Sequence, residues 1–152
     1  MFCCDGASFG NPGVAGFGVV IRDHLCQVLG VISGGIDIAT NYLAEVYAII
    51  CAVELAVEWQ IQEAILNLDY KTMVTEFVRN RMPWFFKMRW KKAIAKIHSL
   101  QFKHSFRETN FSADTATKKE LSWQQVKEKF TMVDQVFLSR IELPNIAYYR
   151  MC

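Results

Sequence analysis

Four acidic residues of this sequence have types and positions suited to metal chemistry: Asp5, Glu45, Asp69 and Asp114. If their carboxylates converge, they repel one another unless hard cations lie between them, and a ligand set made only of oxygens selects Mg²⁺ or Mn²⁺. Two such ions about 4 Å apart promote in-line displacement at phosphorus. The four acids together therefore indicate a candidate two-metal site for phosphoryl transfer.

Each of these acids alone also has an ordinary structural explanation. Asp5 stands beside Gly6, where a turn aspartate is common. Glu45 could form a salt bridge with an Arg or Lys at the edge of the core, or it could lie near a helix start, where the helix dipole stabilises an acid. Asp69 directly follows the buried segment AILNL and suits an N-cap, while Asp114 suits the first turn of a helix. Their convergence at one place is what would distinguish a site from four separate structural roles.

The hydrophobic pattern predicts which elements carry the four acids. Apolar and β-branched runs predict strands over residues 2–4, 15–21, 26–33, 64–68 and 100–106. Helical periodicity and capping signals predict helices over residues 41–59, 71–79, 84–99 and 112–119. A hairpin at RDHL followed by alternating helices and strands predicts an α/β fold, a mixed sheet with helices on both faces. Asp5 and Asp69 then lie at C-terminal strand ends, at the edge where such sheets bind ligands, and Glu45 and Asp114 lie near helix starts that return to that edge.

The first predicted helix directs Glu45 toward the sheet. On a helical wheel Glu45 lies with an apolar stripe, whereas Glu54 and Glu58 lie on the opposite side. The stripe consists of Ala48, Ile49, Ala52, Ala56 and Trp59. Because an unpaired buried charge is costly, a carboxylate at this position needs a cation or a basic side chain beside it.

Composition and cysteine usage limit the class of protein. The chain has 152 residues, the length of one domain, and 52% of them are hydrophobic, which is enough for a sizeable core. A net charge of +2 is too small to indicate a polyanionic partner by itself. Five cysteines without a CxxC pair argue against a disulfide framework or a structural zinc site and favour a reducing compartment. No signal peptide is apparent and glutamates interrupt the most apolar helix, so we expect an intracellular protein, nuclear or cytoplasmic, with no membrane partner.

Four blocks follow one another along the chain: DGASFGNPGVAGFGVVIRD, TNYLAEVYAI, LNLDYKTMV and HSFRETNFSADTAT. In order and spacing they resemble the signature blocks of type 1 ribonuclease H, and they are most similar to the plant retroelement-associated branch of that superfamily. The resemblance covers residues 2–119 and implies an RNase H-like fold, a five-stranded mixed sheet in the order 3-2-1-4-5 flanked by helices. It implies a catalytic domain over residues 1–120, followed by an extension over residues 121–152 with a helical start and an irregular remainder.

The resemblance implies an endonuclease that cleaves the RNA strand of RNA/DNA hybrids and leaves 5′-phosphate and 3′-hydroxyl ends. In that family one ion, Mg²⁺ with Mn²⁺ as a substitute, activates water for attack on the phosphate, and a second stabilises the leaving 3′-oxygen. The family's acidic tetrad falls on Asp5, Glu45, Asp69 and Asp114, its mobile histidine on His104, and its phosphate and 2′-hydroxyl contacts on Gly6, Asn11, Thr40 and Asn41. His104 then moves a proton or assists product release, unless it is a strand-end histidine without a task, and Asn11 equally suits the turn GNPG.

Three residues depart from the family pattern. Tyr70 stands where serine is usual and would crowd the site, while Thr115 and Thr117 stand where alanine or leucine is commoner, which predicts looser packing behind Asp114. Two other functions stay open: a domesticated, catalytically weak module that binds nucleic acid or protein, and another nuclease of the same superfold. The intact carboxylates favour cleavage over binding alone, and His104 with the GNPG loop favours a ribonuclease H.

Two further segments bear on partners. The run RNRMPWFFKMRWKKAIAK mixes basic and aromatic residues and suits either a surface for a duplex backbone or an ordinary solvated helix face. In the extension, Trp123, Val126 and Phe130 indicate an amphipathic helix that packs on the domain or on a protein partner.

Overall fold

The computed structural model of the chain describes residues 1–105, 113–115, 117 and 131–132. Its elements, in chain order, are β1 Phe2–Gly10, β2 Gly13–Arg22, β3 Val28–Ala39, α1 Asn41–Glu58, β4 Glu63–Leu68, α2 Lys71–Val78, α3 Trp84–Ile94, β5 Ser99–His104 and β6 Thr131–Met132. Residues 113–115 and 117 are also helical, as predicted. The rest of the predicted extension, including its helical start, lies outside the described residues.

The strands form one mixed sheet in the order β5-β4-β1-β2-β3-β6. β1, β2 and β3 are antiparallel neighbours, and β4 pairs in parallel with β1 and β5. The first five strands therefore have the predicted order 3-2-1-4-5. β6 adds two residues to the outer edge of β3, where Met132 pairs with Ile32 and Thr131 with Ser33.

β1 is longer than predicted, which corrects the expected position of Asp5. The strand continues through the glycine-rich segment to Gly10, so Asp5 lies within it rather than at its end. Antiparallel pairing with β2 holds the whole of β1 extended, up to the tight connection where Gly10 pairs with Gly13. Parallel pairing with β4 stops at Cys3, and Asp5 therefore lies just beyond the part of β1 that is paired on both sides.

Helices cover both faces of the sheet, as predicted. α1, α2 and α3 pack on one face around a core that includes Phe2, Val19, Leu66, Phe77 and Trp90. A smaller cluster on the other face consists of Cys3, Val20, Val31 and Ala113, the last from the helical residues 113–115.

The helix ends differ from the predicted ones for local reasons. α1 begins after Thr40, whose hydroxyl oxygen accepts a hydrogen bond from the amide of Leu43 at 3.2 Å. Trp59 lies after its last turn and is exposed, so it does not belong to the buried stripe. α3 ends at Ile94 instead of residue 99, because the amides of His98 and Ser99 donate to the carbonyl of Gln62 and lead the chain into β5.

The structure also describes which cysteines are disulfide-bonded and how long and apolar the helices are. Cys3, Cys4 and Cys51 are buried and form no disulfide bond, whereas Cys26 is disulfide-bonded, which the cysteine pattern did not predict. In the described part of the chain, no helix is both long and apolar enough to cross a membrane.

Candidate active site

Three carboxylates meet at one place on the sheet. Asp5 of β1, Glu45 of α1 and Asp69, which directly follows β4, offer oxygens that all lie within 4.8 Å of one another. Asp5 is almost fully buried and the other two are half-buried. A set of closely spaced carboxylate oxygens fits a hard divalent cation such as Mg²⁺ or Mn²⁺. We refer to these residues as the carboxylate triad.

Close packing of α1 on β1 brings two members of the triad together. A Cβ atom at Gly6 would lie 2.2 Å from the carbonyl carbon of Ala44 and 2.3 Å from the amide nitrogen of Glu45. Glycine at this position therefore allows the backbone of the helix to touch the strand, one residue after Asp5. Glu45 is the fifth residue of α1 and lies beyond its first turn. The helix dipole therefore does not explain why an acid is found at this position.

Asp69 does not cap α2. The N-cap residue of α2 is Tyr70, and no side chain makes a capping hydrogen bond there. Leu68 at the end of β4 pairs with His104 at the end of β5, which puts the histidine beside the triad. The Nε2 atom of His104 lies 3.1 Å from the backbone oxygen of Asp69, and the ring is exposed. The predicted histidine is thus at the rim of the site.

Asp114 occupies a different position from the other three acids. It is half-buried, and it is not among the described residues whose carboxylate oxygens form the group within 4.8 Å. Its neighbours nevertheless lie against β1 and β2: Ala113 is fully buried in the second core cluster, and the Thr117 hydroxyl lies 3.1 Å from the backbone oxygen of Asp5. Thr117, one of the two threonines predicted to loosen the packing behind Asp114, is completely buried.

A groove leads away from the triad across the start of α1. It has a volume of about 350 Å³. Its lining residues are Gly6, Ala7, Asn11, Asn41, Tyr42, Glu45, Asp69, Tyr70 and Met73. The groove therefore joins two members of the triad to three of the four residues predicted to contact substrate. Thr40, the fourth, acts as the N-cap of α1 and does not line the groove.

The two asparagines of the groove are held by a network that includes Ser8, a residue the sequence did not single out. The backbone amide of Asn41 donates to Asn11 Oδ1 at 3.1 Å. The amide of Ser8 donates to Asn41 Oδ1 at 2.7 Å, and its hydroxyl lies 3.0 Å from the same oxygen. Ser8 lies two residues after Gly6 and therefore on the same face of β1. This alternation is the sequence signal that could have identified Ser8 as a groove residue. Asn11 therefore ties the turn to α1 as well as lining the groove.

Two tyrosines form part of the groove wall. Burial and a hydrogen bond to Glu76 raise the pKa of Tyr42 to about 12, so its hydroxyl stays neutral at physiological pH. Tyr70 is 56% exposed. Its ring lies largely in solvent at the mouth of the groove. The steric crowding predicted for Tyr70 would therefore affect a ligand that enters the groove and would not disturb the packing of the core.

The basic and aromatic segment divides between core and surface. Phe86 and Trp90 of α3 are buried, while Trp84 is 80% exposed. The exposed basic residues of this segment are Arg79, Arg81, Lys91, Lys92 and Lys96. Arg89 instead makes two hydrogen bonds to Glu54 of α1, at 2.8 and 2.6 Å. The segment therefore contributes both to the core and to an exposed basic surface, and binding of a duplex backbone by that surface stays a prediction.

Comparisons with known proteins agree with this geometry. A family model described as reverse transcriptase-like matches residues 3–120. The ribonuclease H of Buchnera aphidicola subsp. Schizaphis graminum is 29% identical over 93 residues, which cover 61% of this chain and 55% of that protein. The chain thus aligns with little more than half the length of that curated relative.

Two solved structures confirm the predicted fold. RNase H1 from the halophilic archaeon Halobacterium salinarum has a TM-score of 0.72 and 26% identity, over 79% of this chain and 95% of that one. LC11-RNase H1, solved in complex with an RNA/DNA hybrid, has a TM-score of 0.69 and 28% identity, over 79% of this chain and 94% of that one. The sheet order and flanking helices described above are therefore those of an RNase H fold.

Proposed function

We propose that this chain, which belongs to the reverse transcriptase-like family, is a ribonuclease H that cleaves the RNA strand of RNA/DNA hybrids with the help of divalent metal ions. One observation carries the proposal: three carboxylates from three separate elements lie within 4.8 Å of one another, at the head of a groove. We expect Mg²⁺ as the ion, with Mn²⁺ as a substitute, and products with 5′-phosphate and 3′-hydroxyl ends.

The positions of the residues support a separate role for each of them. The triad would hold the ions, with Asp114 as a fourth carboxylate ligand approaching from the opposite face of the sheet. When bound, such ions promote attack of water on a phosphorus and stabilise the charge on the leaving oxygen. His104, exposed at the rim and close to the Asp69 backbone, is placed to carry a proton between the site and solvent or to assist the departure of product.

Selection of the RNA strand requires contacts to 2′-hydroxyls, which DNA lacks. The groove offers the backbone at Gly6 and the side-chain amides of Asn11 and Asn41, whose NH₂ groups can donate to a 2′-hydroxyl while their oxygens accept from Asn41 and Ser8. The network through Ser8 holds these groups before substrate arrives, which lowers the entropic cost of binding. Thr40 contributes indirectly, because it fixes the start of the helix that carries Asn41.

We assign the proposed activity to residues 1–120 and most of the nonspecific affinity to the exposed basic residues of the α3 region. RNA/DNA hybrid is the proposed partner, and the extension after residue 120 is the proposed site for a protein partner. One of the solved structures with a similar fold is bound to an RNA/DNA hybrid, which supports the choice of substrate.

A cleavage assay with a matched pair of variants tests the proposal. The purified chain is incubated with an end-labelled RNA/DNA hybrid, and with RNA/RNA and DNA/DNA duplexes, in EDTA, Mg²⁺ or Mn²⁺. Glu45→Gln should abolish cleavage while leaving hybrid affinity nearly intact, because the carboxylate holds metal and the affinity comes mostly from basic side chains. Glu54→Gln, which removes a glutamate of the same helix outside the triad, should keep activity close to wild type.

The outcomes separate the candidate functions. Metal-dependent cleavage of the hybrid alone supports the proposal. Binding of the hybrid without cleavage in either metal would instead indicate a binding module, and cleavage of DNA/DNA would indicate another nuclease of the superfold. Activity of Glu45→Gln within about tenfold of wild type would remove Glu45 from the site, since loss of a metal ligand costs several kcal/mol of transition-state stabilisation.

A further inference from the structure

The helical residues that flank Asp114 lie against the pair of strand residues that includes Asp5. Asp5 of β1 pairs with Gly18 of β2. A Cβ atom at Gly18 would lie 2.7 Å from the backbone oxygen of Ala113 and 2.9 Å from the backbone nitrogen of Thr117. The backbone of this short helical segment is therefore in direct contact with the sheet, and glycine at position 18 leaves the space for it.

A single buried hydroxyl connects the segment to β1 at the triad. The Oγ1 atom of Thr117 lies 3.1 Å from the backbone oxygen of Asp5 and 2.9 Å from the backbone oxygen of Ala113. The second contact is the usual one between a helical threonine and the carbonyl four residues earlier. The first joins two segments that are 112 residues apart in the chain, and Thr117 is completely buried.

We infer that Thr117 is a positioning residue, which holds the helical segment on β1 and thereby sets the distance of the Asp114 carboxylate from the carboxylate triad. This inference rests on the proposed metal site. Asp114 lies three residues before Thr117 and one after Ala113, so it belongs to the turn of helix that these two residues attach to the sheet. A shift of that turn moves Asp114 and leaves Asp5, Glu45 and Asp69 in place.

The side chain at position 117 has two separable properties. Its hydroxyl oxygen lies beside Gly18 and has one hydrogen to share between the carbonyls of Asp5 and Ala113. Its γ-methyl group adds buried volume. Valine keeps the shape and removes the hydroxyl, whereas serine keeps the hydroxyl and removes the methyl group. Removing the hydroxyl also leaves a buried carbonyl oxygen without this donor, which favours movement of the segment away from β1.

We therefore expect Thr117→Val to weaken metal binding and Thr117→Ser to preserve it. Mn²⁺ binding is measured by isothermal titration calorimetry on the substrate-free protein, and the Mg²⁺ concentration for half-maximal hybrid cleavage is measured in parallel. In Thr117→Val both should shift by about fivefold, the factor that corresponds to one buried hydrogen bond, with KM for the hybrid unchanged. Thr75→Val, a substitution of an exposed threonine on α2, is the matched control.

A second variant reaches the same contact from the other strand. Gly18→Ala places a methyl group against the backbone of Ala113 and should weaken metal binding in the same direction as Thr117→Val. It therefore replaces Thr117→Val as the test if that variant does not fold, as judged by circular dichroism in EDTA.

The inference is overturned if Thr117→Val binds Mn²⁺ with wild-type affinity, or if Thr117→Ser weakens binding as much as the valine variant, which would assign the effect to packing of the methyl group. The calorimetry is informative even if the wild-type chain cleaves no hybrid, so failure of the inference can be told from failure of the proposed function.

Discussion

Removal of one charge from the carboxylate triad should stabilise the metal-free protein. Three carboxylates within 4.8 Å repel one another whenever they are ionised and no cation lies between them. Asp69→Asn keeps the shape of the side chain and removes one of these charges. The variant should therefore unfold at a higher temperature than wild type in EDTA at neutral pH, although it should lose cleavage activity.

The size of the effect can be worked from the separation. Two full charges 4.8 Å apart repel by about 1 kcal/mol in water and by about 3.5 kcal/mol at an effective dielectric constant of about 20. Asp69 has two such neighbours, Asp5 and Glu45. Incomplete ionisation, screening by salt and the contacts that Asp69 makes with other groups offset most of this repulsion. We expect a net gain of about 1 kcal/mol, or about 3 °C in Tm for a domain of this size.

The pH dependence has a definite sign. Repulsion requires ionised carboxylates, so it is absent in acid, where the folded and unfolded chains are both protonated, and it grows as the pH rises. The advantage of Asp69→Asn should therefore be largest near neutral pH and should shrink toward about pH 4. Added Mg²⁺ should raise the Tm of wild type by mass action and raise that of the variant less.

Thermal unfolding followed by circular dichroism, in EDTA and in Mg²⁺ at both pH values, measures these differences. Glu54→Gln is the matched control of opposite sign, because it removes a carboxylate that is ion-paired with Arg89 at 2.6 Å and should lower the Tm slightly. If Asp69→Asn melts below wild type in EDTA at neutral pH, mutual repulsion within the triad is not a significant cost to the fold.

Two further predictions follow from the groove and its supports. Gly6→Ala should destabilise the protein by about 2 kcal/mol in urea unfolding, because the added Cβ meets the backbone of α1. Gly35→Ala is the control, because nothing lies within 4 Å of a Cβ at that position. Equal stability of the two variants would contradict the argument. Tyr42 has a pKa raised to about 12 from its usual value of 10, so its contribution to stability is complete below about pH 10 and is lost as the pH rises toward 12. In urea unfolding, the free energy of unfolding of Tyr42→Phe should therefore fall less between about pH 10 and about pH 12 than that of wild type. Tyr70→Phe, which removes an exposed hydroxyl, is the control. A fall in Tyr42→Phe equal to that of wild type would refute the prediction.

Local pattern was sufficient to predict most of the elements. β4 and α2 lie within one residue of their predicted bounds, and α1 ends one residue early, because periodicity and capping act over a few residues of chain. The sheet order was also predicted, from a resemblance carried by four blocks. The meeting of Asp5, Glu45 and Asp69 was predicted from their places at strand ends and near a helix start, but Asp114, expected to join them, is not in the observed group. Strand lengths were predicted less well, since β1 and β3 extend through glycines that have poor strand propensity and are held there by pairing with β2.

The sequence by itself determined the alternation of helices and strands and identified three acids that meet and two asparagines that line the groove, because these depend on residue type and short-range spacing. Tertiary structure alone decided that Asp5 lies within a strand, that Ser8 holds Asn41 and that Thr117 contacts the carbonyl of Asp5. These contacts join residues 33 to 112 positions apart. Their geometry depends on how closely α1 and the segment at residues 113–117 approach the sheet, which the absence of a Cβ at Gly6 and Gly18 permits.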